Sequence, residues 1–269
     1  MRRNRTLVRA LAELLNAANG VRPLGRQGYR TVANFAFGWP TTELTPLYLA
    51  GSTLSALRRG IRGDFTGRRG RIALLIHVIG WALLVLLIRR NVRSEPYFEA
   101  GLEAELGAGY RELAATSVPA LAAARDHGGI FATGWSRHRY VEKGIVRYGP
   151  HGRANTADIW RRADLPRDAR APVLLQVPGG GWMLGDRRPQ AYPLMGTLAD
   201  RGWICVSIGY RVSPKHQWPA HIIDVKQALA WIKENIADYG GDPDFVAISG
   251  GSAGGHLSSL AALTPGDPQ

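Results

Sequence analysis

The chain has 269 residues, of which 45% are hydrophobic and 20% are charged, with 33 glycines, 16 prolines and one cysteine. This composition is typical of a folded globular protein and excludes a disordered chain, a collagen, a coiled coil and a disulfide scaffold. The formal net charge is +13 at pH 7, and the whole excess lies in residues 1–93, which contain 16 arginines and 3 acidic residues. Residues 94–269 are neutral overall. We therefore expect a basic appendage followed by a separate domain.

The basic region contains a candidate membrane-spanning helix. Residues 72–88 carry no charge and consist mainly of large apolar side chains and alanine, with three arginines close to each end. A helix of this length extends about 25 Å, close to the ~30 Å hydrocarbon core of a bilayer, and the arginines can reach the interface on either side. A buried helix of a soluble domain is the alternative. A run that is apolar on every face and bounded by arginines favours the membrane.

Two further segments of residues 1–93 are candidates for contact with lipid. Residues 32–57 are uncharged except for Glu43, but Pro40 and Pro46 interrupt them, so a kinked span, a re-entrant segment and an interfacial helix all remain open. Near the N-terminus, leucines recur with helical spacing beside arginines, which is typical of a basic amphipathic helix on anionic lipid. Nucleic acid would explain the charge but not the apolar runs, so we predict a membrane partner and no nucleic acid.

The distribution of arginine also predicts a topology. Residues 58–71 contain six arginines and residues 89–93 contain three. Loops rich in arginine stay in the cytoplasm. Both a single span at 72–88 and a two-span hairpin with 58–71 inside then place the rest of the chain outside. We expect an integral membrane protein with an extracytoplasmic C-terminal domain.

The remainder of the chain is predicted to be a helical linker, 94–130, followed by an α/β domain, 131–269. The linker is rich in alanine, leucine and glutamate, with a break near Pro119. In the domain, short β-rich runs alternate with helical stretches, which is typical of a mostly parallel sheet flanked by helices. The predicted strands are 145–149, 157–161, 172–177, 203–210 and 245–249, and the predicted helices are 190–200 and 221–238.

The last predicted strand runs directly into a G-x-S-x-G motif formed by Gly250, Ser252 and Gly254. In a sharp strand-to-helix turn, side chains two residues before and after the central serine would collide, and glycine at both places relieves this. The serine is then held in a strained conformation with its hydroxyl raised above the sheet. We predict that Ser252 is a nucleophile at the N-terminus of a helix, where the helix dipole favours negative charge.

A second glycine cluster, Gly179 to Gly181, follows the predicted strand 172–177. Without Cβ atoms, its backbone N–H groups can approach a substrate oxygen closely. We predict that N–H groups of this cluster, together with that of Ala253, form an oxyanion hole. The glycine spacing does not fit a dinucleotide-binding or phosphate-binding loop, and the sequence has no zinc-protease motif or Cys/His cluster. We expect no cofactor and no metal.

Together these motifs resemble the hormone-sensitive-lipase-like branch of the α/β-hydrolase esterases. The resemblance covers about residues 140–265 and rests on PGGGW (178–182), GYRVSPKHQWPA (209–220), the helix carrying Asp224, YGGDPD (239–244) and GGSAGGHL (250–257). It implies hydrolysis of carboxylic esters by a Ser-Asp-His triad without a cofactor. In that case Ser252 is the nucleophile, and Gly179, Gly180 and Ala253 supply the oxyanion N–H groups. It also implies structural roles for Tyr210, Pro214 and Asp224. Pro178 stands where the family usually has histidine, which we expect to alter the shape of the glycine loop without removing the donors.

The expected triad is incomplete in this sequence. In this fold the acid and the histidine follow the nucleophile along the chain, and the only such residues after Ser252 are His256 and Asp267. His256 lies four residues after the serine, on the helix that leaves the turn, and is therefore a poor candidate for the base. The sequence predicts a membrane-anchored esterase truncated before its acid and histidine. The alternatives are an inert α/β-hydrolase-fold membrane protein with a binding role, and a basic lipid- or nucleic-acid-binding domain with a vestigial hydrolase.

Overall fold

The computed structural model describes residues 2–23, 28–112, 137–142, 145–188 and 190–266. The chain divides into two compact units, Met1–Glu112 and Leu113–Gln269. The division falls inside the segment that the sequence predicts as a linker. The predicted break near Pro119 lies outside the described residues.

The first unit is helical throughout its regular structure. Its helices are α1 (Arg2–Val21), α2 (Tyr29–Glu43), α3 (Thr45–Ile61), α4 (Gly67–Val92) and α5 (Glu95–Leu106). The segment 32–57 forms most of α2 and α3. Pro46 lies in the first turn of α3, where its missing N–H leaves no hydrogen bond unmade. Helix α4 contains the predicted span 72–88 and packs along α1 and α3.

The side chains between the helices of this unit are mostly small or polar, whereas many large apolar side chains face outward. The buried residues of α4 are Gly70, Ala73, His77, Gly80, Leu84 and Leu87. A Cβ atom on Gly80 would lie 3.7 Å from the Cα of Leu14, so α1 and α4 approach each other closely. The exposed apolar residues of these two helices include Val8, Leu11, Leu15, Ile72, Leu75, Val78 and Ile79. The unit therefore has the opposite polarity pattern to a water-soluble helical bundle.

A partly buried polar network joins three of these helices. The hydroxyl of Ser52 on α3 donates to Oε2 of Glu13 on α1, at 2.6 Å. The indole N–H of Trp81 on α4 donates to the same hydroxyl, at 2.9 Å. Nδ1 of the buried His77 lies 3.2 Å from Glu13, whose other oxygen accepts from Arg9. Polar contacts thus contribute to helix association where a soluble bundle would use leucine and isoleucine.

The second unit is a five-stranded sheet with helices on its faces, as far as the structure describes it. The strands are β1 (Val146–Arg147), β2 (Thr156–Trp160), β3 (Ala171–Val177), β4 (Ile204–Ile208) and β5 (Gly241–Gly250), in the order β1-β2-β4-β3-β5. The helices are α6 (Tyr192–Asp200), α7 (Ala220–Asn235) and α8 (Ala253–Leu263). Every predicted strand and helix of this unit overlaps an observed element.

The sheet is mixed, and this corrects the prediction of a mostly parallel sheet. Strand β3 pairs in parallel with β4 and with β5. Strand β2 pairs antiparallel with β4, and β1 pairs antiparallel with β2. The residues between β2 and β3, 161–170, form no helix. If β3 ran parallel to β2, the connection between them would need a dozen or more residues, usually with a helix. This connection is shorter, and β3 runs in the opposite direction to β2.

Two apolar layers cover the sheet. Val173, Leu175 and Val177 of β3 contribute to a layer with residues of α7 and α8, including Ile222, Val225, Ile232 and Leu257. Leu174, which points to the opposite face, packs with Tyr192 and Met195 of α6. Alternate residues of β3 are therefore buried on opposite sides. The central strand forms a rigid base for the loop that follows Val177.

One buried carboxylate ties β2 to the loop before α6. Asp158 on β2 is 1% exposed and accepts hydrogen bonds from Arg137, Arg187 and Arg188. Burial by itself raises the pKa of Asp158, but the hydrogen bonds from Arg188 and Arg187 bring that pKa below its usual value. The ionised form is therefore the one that stabilises the fold.

We predict that Asp158→Asn lowers the free energy of unfolding by about 3 kcal/mol at neutral pH, because three guanidinium groups lose their common partner. The carboxylate stabilises the fold above its unfolded-state pKa, and that contribution is lost as the pH falls through the depressed folded-state pKa. The difference in free energy of unfolding between the unaltered protein and Asp158→Asn should therefore become smaller at acidic pH. Denaturant unfolding of the intact protein, with the exposed Asp164→Asn as control, measures this. Equal midpoints at neutral pH would contradict it.

Candidate active site

Ser252 lies on the short turn that joins β5 to α8. The strand ends at Gly250 and the helix begins at Ala253, so only two residues make the turn. The backbone of Ser252 has φ 54° and ψ −121°, a conformation that non-glycine residues rarely adopt, and the residue is exposed. The serine is held in a strained turn with its side chain accessible to solvent.

The two outer glycines of the motif allow this turn to pack against the end of β3. A Cβ atom on Gly250 would lie 2.6 Å from the carbonyl oxygen of Val177. A Cβ atom on Gly254 would overlap the same oxygen. Both distances are shorter than those that real Cβ atoms make to neighbouring atoms. The motif is therefore required by the close approach of the first turn of α8 to the neighbouring strand.

The glycine loop lies beside the serine turn. It follows β3, and because β3 and β5 are parallel neighbours, their carboxyl ends meet at the same edge of the sheet. A Cβ atom on Gly179 would lie 2.5 Å from the carbonyl oxygen of Gly251. Gly180 has φ +134° and Gly181 has φ +59°, values that suit glycine. The structure thus brings both glycine-rich segments to one place.

The N–H groups proposed for the oxyanion hole differ in their hydrogen bonding. The N–H of Gly179 donates to Oε1 of Gln190, at 2.8 Å, so it already has an acceptor. Within the part of the chain that the structure describes, the N–H groups of Gly180 and Ala253 have no acceptor. Binding of an oxyanion by Gly179 would require its hydrogen bond to Gln190 to break. Sequence reasoning missed Gln190, because an isolated glutamine forms no motif.

Residues at the end of β4 support the glycine loop. The hydroxyl of Tyr210 donates to the carbonyl oxygen of Pro178, at 2.9 Å. Burial raises the pKa of Tyr210 to about 12, so the hydroxyl keeps its proton at neutral pH. The next residue, Arg211, donates its backbone N–H and its guanidinium to Asp224, which is fully buried on α7. These contacts agree with the structural roles that the family resemblance implies for Tyr210 and Asp224.

The histidines near the turn pack against other residues. The ring of His256 meets that of Trp182 edge-on at 5.5 Å and that of Trp218 at 6.3 Å. His221 is buried and its Nε2 lies 3.3 Å from the hydroxyl of Ser213. Burial lowers the pKa of His221 and so favours its neutral form.

Neither His256 nor His221 is paired with the nucleophile. Among the described residues, no side chain forms a hydrogen bond with the hydroxyl of Ser252. Asp267, the acid that follows the motif, lies outside them. The same described ranges contain no group of three or more His, Cys, Asp or Glu side chains that could hold a metal ion.

A serine in a two-residue turn between a strand and a helix, beside a glycine loop at the same edge of the sheet, is the arrangement typical of α/β-hydrolases. Sequence comparison agrees with this class. Residues 158–269 match the protein family described as BD-FAE. Three relatives from Mycobacterium tuberculosis carry esterase names.

The probable carboxylic ester hydrolase LipM is 42% identical over 272 residues, which cover 98% of this chain and 61% of LipM. Esterase LipQ is 49% identical over 180 residues, or 65% of this chain and 43% of LipQ. Esterase LipC is 53% identical over 134 residues, or 49% of this chain and 33% of LipC. The chain is a relative of these mycobacterial esterases, and its predicted resemblance to the hormone-sensitive-lipase-like family is confirmed. It spans less than two thirds of the length of each.

We predict that Gly254→Ala destabilises the second unit by about 3 kcal/mol, because the new methyl group overlaps the carbonyl of Val177. In an unobstructed helix the same change would stabilise by up to about 1 kcal/mol, so the sign identifies the steric cause. Gly251→Ala is the matched control, since a Cβ atom there meets nothing within 4 Å. Denaturant unfolding compares the two variants. A neutral or stabilising effect of Gly254→Ala would show that α8 does not pack against β3 as described.

Proposed function

We propose that this chain carries the nucleophile of a membrane-anchored carboxylic-ester hydrolase, in which Ser252 attacks the ester carbonyl. The observation that carries the proposal is the strained turn at Ser252 beside the glycine loop. The turn presents a hydroxyl to solvent, and α8 begins at the next residue. The names of the relatives support carboxylic esters as the substrate class.

The chemistry follows from this arrangement. The Oγ atom of Ser252 forms a bond to the carbonyl carbon while the carbonyl oxygen becomes an oxyanion. Amide donors from Gly180 and Ala253 stabilise that oxygen, each donor lowering the barrier by about 3–4 kcal/mol. The alcohol leaves with a proton, and water then hydrolyses the acyl-serine. Gly179, proposed from the sequence as a third donor, contributes its own N–H only when Gln190 releases it.

A general base is also required, because a free serine hydroxyl is a weak nucleophile at neutral pH. We assign that role to no described histidine, since the ring of His256 is packed against two tryptophans and His221 is buried beside Ser213. In this fold the acid and histidine of the triad follow the nucleophile along the chain. An inert binding protein is the less favoured function, because the relatives are named as esterases.

Exposed apolar side chains near the turn suit an apolar part of the substrate. Trp182, Met183 and Leu184 extend the glycine loop and are all exposed. Trp218 is also exposed, and its ring contacts the ring of His256, as that of Trp182 does. Such a patch favours substrates with an apolar acyl or alcohol group, including lipid esters, over small polar esters.

We predict that a fluorophosphonate probe labels Ser252 in a detergent-purified form of the protein that also carries the acid and the histidine of the triad, and that Ser252→Ala abolishes both labelling and aryl-ester hydrolysis. Loss of a nucleophile lowers kcat by up to ~10⁶ in serine hydrolases. The control is Ser259→Ala, an exposed serine on the same helix. Mass spectrometry locates the label. A label on another residue, or unchanged hydrolysis by Ser252→Ala, would refute the proposed nucleophile.

The membrane anchor is proposed from the polarity pattern of the first unit. Within the described ranges, one helical run, residues 67–106, is apolar and long enough to cross a bilayer, and only 28% of its apolar window is buried. Small residues and hydrogen-bonded polar groups between helices are typical of membrane helices, because lipid covers the outward apolar side chains. We propose that α4 crosses the bilayer with α1 packed beside it, that residues 58–71 are cytoplasmic and that the hydrolase domain is outside.

We predict that the protein stays in the membrane fraction after alkaline carbonate extraction, and that a Leu75→Arg/Ile79→Arg variant is released or degraded. Arginine in the middle of a span costs about 2.5–3.5 kcal/mol in insertion. Leu194→Arg, which replaces an exposed leucine of α6, is the control and should remain membrane-bound. If α4 faces water instead, the double variant behaves like the control. Release of the unaltered protein by carbonate would also contradict the anchor.

A further inference from the structure

Gln190 forms two hydrogen bonds with the backbone of Gly179. Its Oε1 accepts from the N–H of Gly179 at 2.8 Å, and its Nε2 donates to the carbonyl oxygen of Gly179 at 3.0 Å. These two backbone groups belong to different peptide units, one before and one after the Cα atom of Gly179. A single side-chain amide therefore holds two consecutive peptide planes of the glycine loop.

The second of these peptide planes carries the N–H of Gly180. A trans peptide is planar, and its C=O and N–H point in opposite directions. When Gln190 holds the carbonyl oxygen of Gly179, the N–H of Gly180 must point away from Gln190. Glycine on both sides lets this peptide rotate easily. The direction of the N–H therefore depends on an external contact.

The neighbouring peptide planes are anchored as well. The hydroxyl of Tyr210 donates to the carbonyl oxygen of Pro178. This carbonyl belongs to the same peptide as the N–H of Gly179, which donates to Gln190. The carbonyl of Gly180 accepts from the backbone N–H groups of Met183 and Leu184, each at 3.0 Å. Only one of these anchors, the amide of Gln190, restrains the peptide that carries the Gly180 N–H.

We propose that Gln190 is a positioning residue that aims the N–H of Gly180 as an oxyanion donor. This proposal rests on the proposed ester hydrolysis and adds a residue to its machinery. Gln190 itself does not touch the reacting atoms. It fixes the donor before the reaction, so that no reorientation is needed when the oxyanion forms.

The test replaces Gln190 with methionine, which has a similar length but no amide donor or acceptor, in the form of the protein that also carries the acid and the histidine of the triad. Activity is expressed per site labelled by the fluorophosphonate probe, so that a loss of folded protein does not count as a loss of catalysis. We expect kcat for an aryl ester to fall by at least about tenfold with KM changed less than twofold. Inhibition by a trifluoromethyl ketone, which forms an oxyanion on the serine, should weaken by a similar factor. Gln227→Met on α7 is the matched control.

A second measurement does not depend on activity. Hydrogen–deuterium exchange of the segment 178–184 reports on the Gly179 N–H, which should be protected in the unaltered protein and exchange faster in Gln190→Met. Unchanged exchange together with an unchanged kcat per labelled site would overturn the role of Gln190. A parallel loss of labelling and stability, with normal kcat per labelled site, would also overturn it. Failure of the unaltered protein to label at Ser252 would instead refute the proposed function. In that case the exchange result would still show whether Gln190 holds the backbone of Gly179.

Discussion

The close approach between the serine turn and the end of β3 is the constraint on which the candidate site depends. The carbonyl of Val177 lies where side chains at Gly250 and Gly254 would be. There is no room for a Cβ atom at either place. Because both residues are glycines, the chain can still turn from strand to helix within two residues. The same approach sets the glycine loop, which continues from Val177, against Gly251. The positions of the proposed nucleophile and of the proposed amide donors therefore depend on the same close approach.

The site is positioned by buried elements on several sides. Tyr210 follows β4, Gln190 precedes α6 and Asp224 lies on α7, and each contacts backbone groups of the loops around Ser252. A glycine-rich loop has little intrinsic rigidity. Hydrogen bonds from surrounding side chains to its carbonyl and N–H groups supply that rigidity. An oxyanion hole works by having its donors oriented in advance, so this support suits the role proposed for the loop.

The two units bury different kinds of residue. The second unit buries large aliphatic side chains on both faces of β3, as expected for a domain in water. The first unit buries glycine, alanine, serine and histidine and leaves many leucines and isoleucines exposed. Apolar burial between these helices is small and centres on Ala17, Leu84 and Leu87. Close backbone contact at Gly80 and the Glu13–Ser52–Trp81 hydrogen bonds add to it, a pattern that fits the proposed membrane anchor.

Local patterns in the sequence determined the elements and the chemistry of the turn. Apolar runs predicted each strand, helical periodicity predicted α7, and G-x-S-x-G between a strand and a helix predicted the elbow at Ser252, because these features depend only on residues close together in the chain. Three features depended on contacts between distant residues and so emerged only with the tertiary structure. The antiparallel pairing of β2 depends on which strand it meets, the inward face of α4 depends on α1 and α3, and the bond between Gln190 and Gly179 depends on the path of the loop before α6. The sequence determines which side chains and backbone groups are available, and the tertiary packing of distant segments determines which of them are in contact.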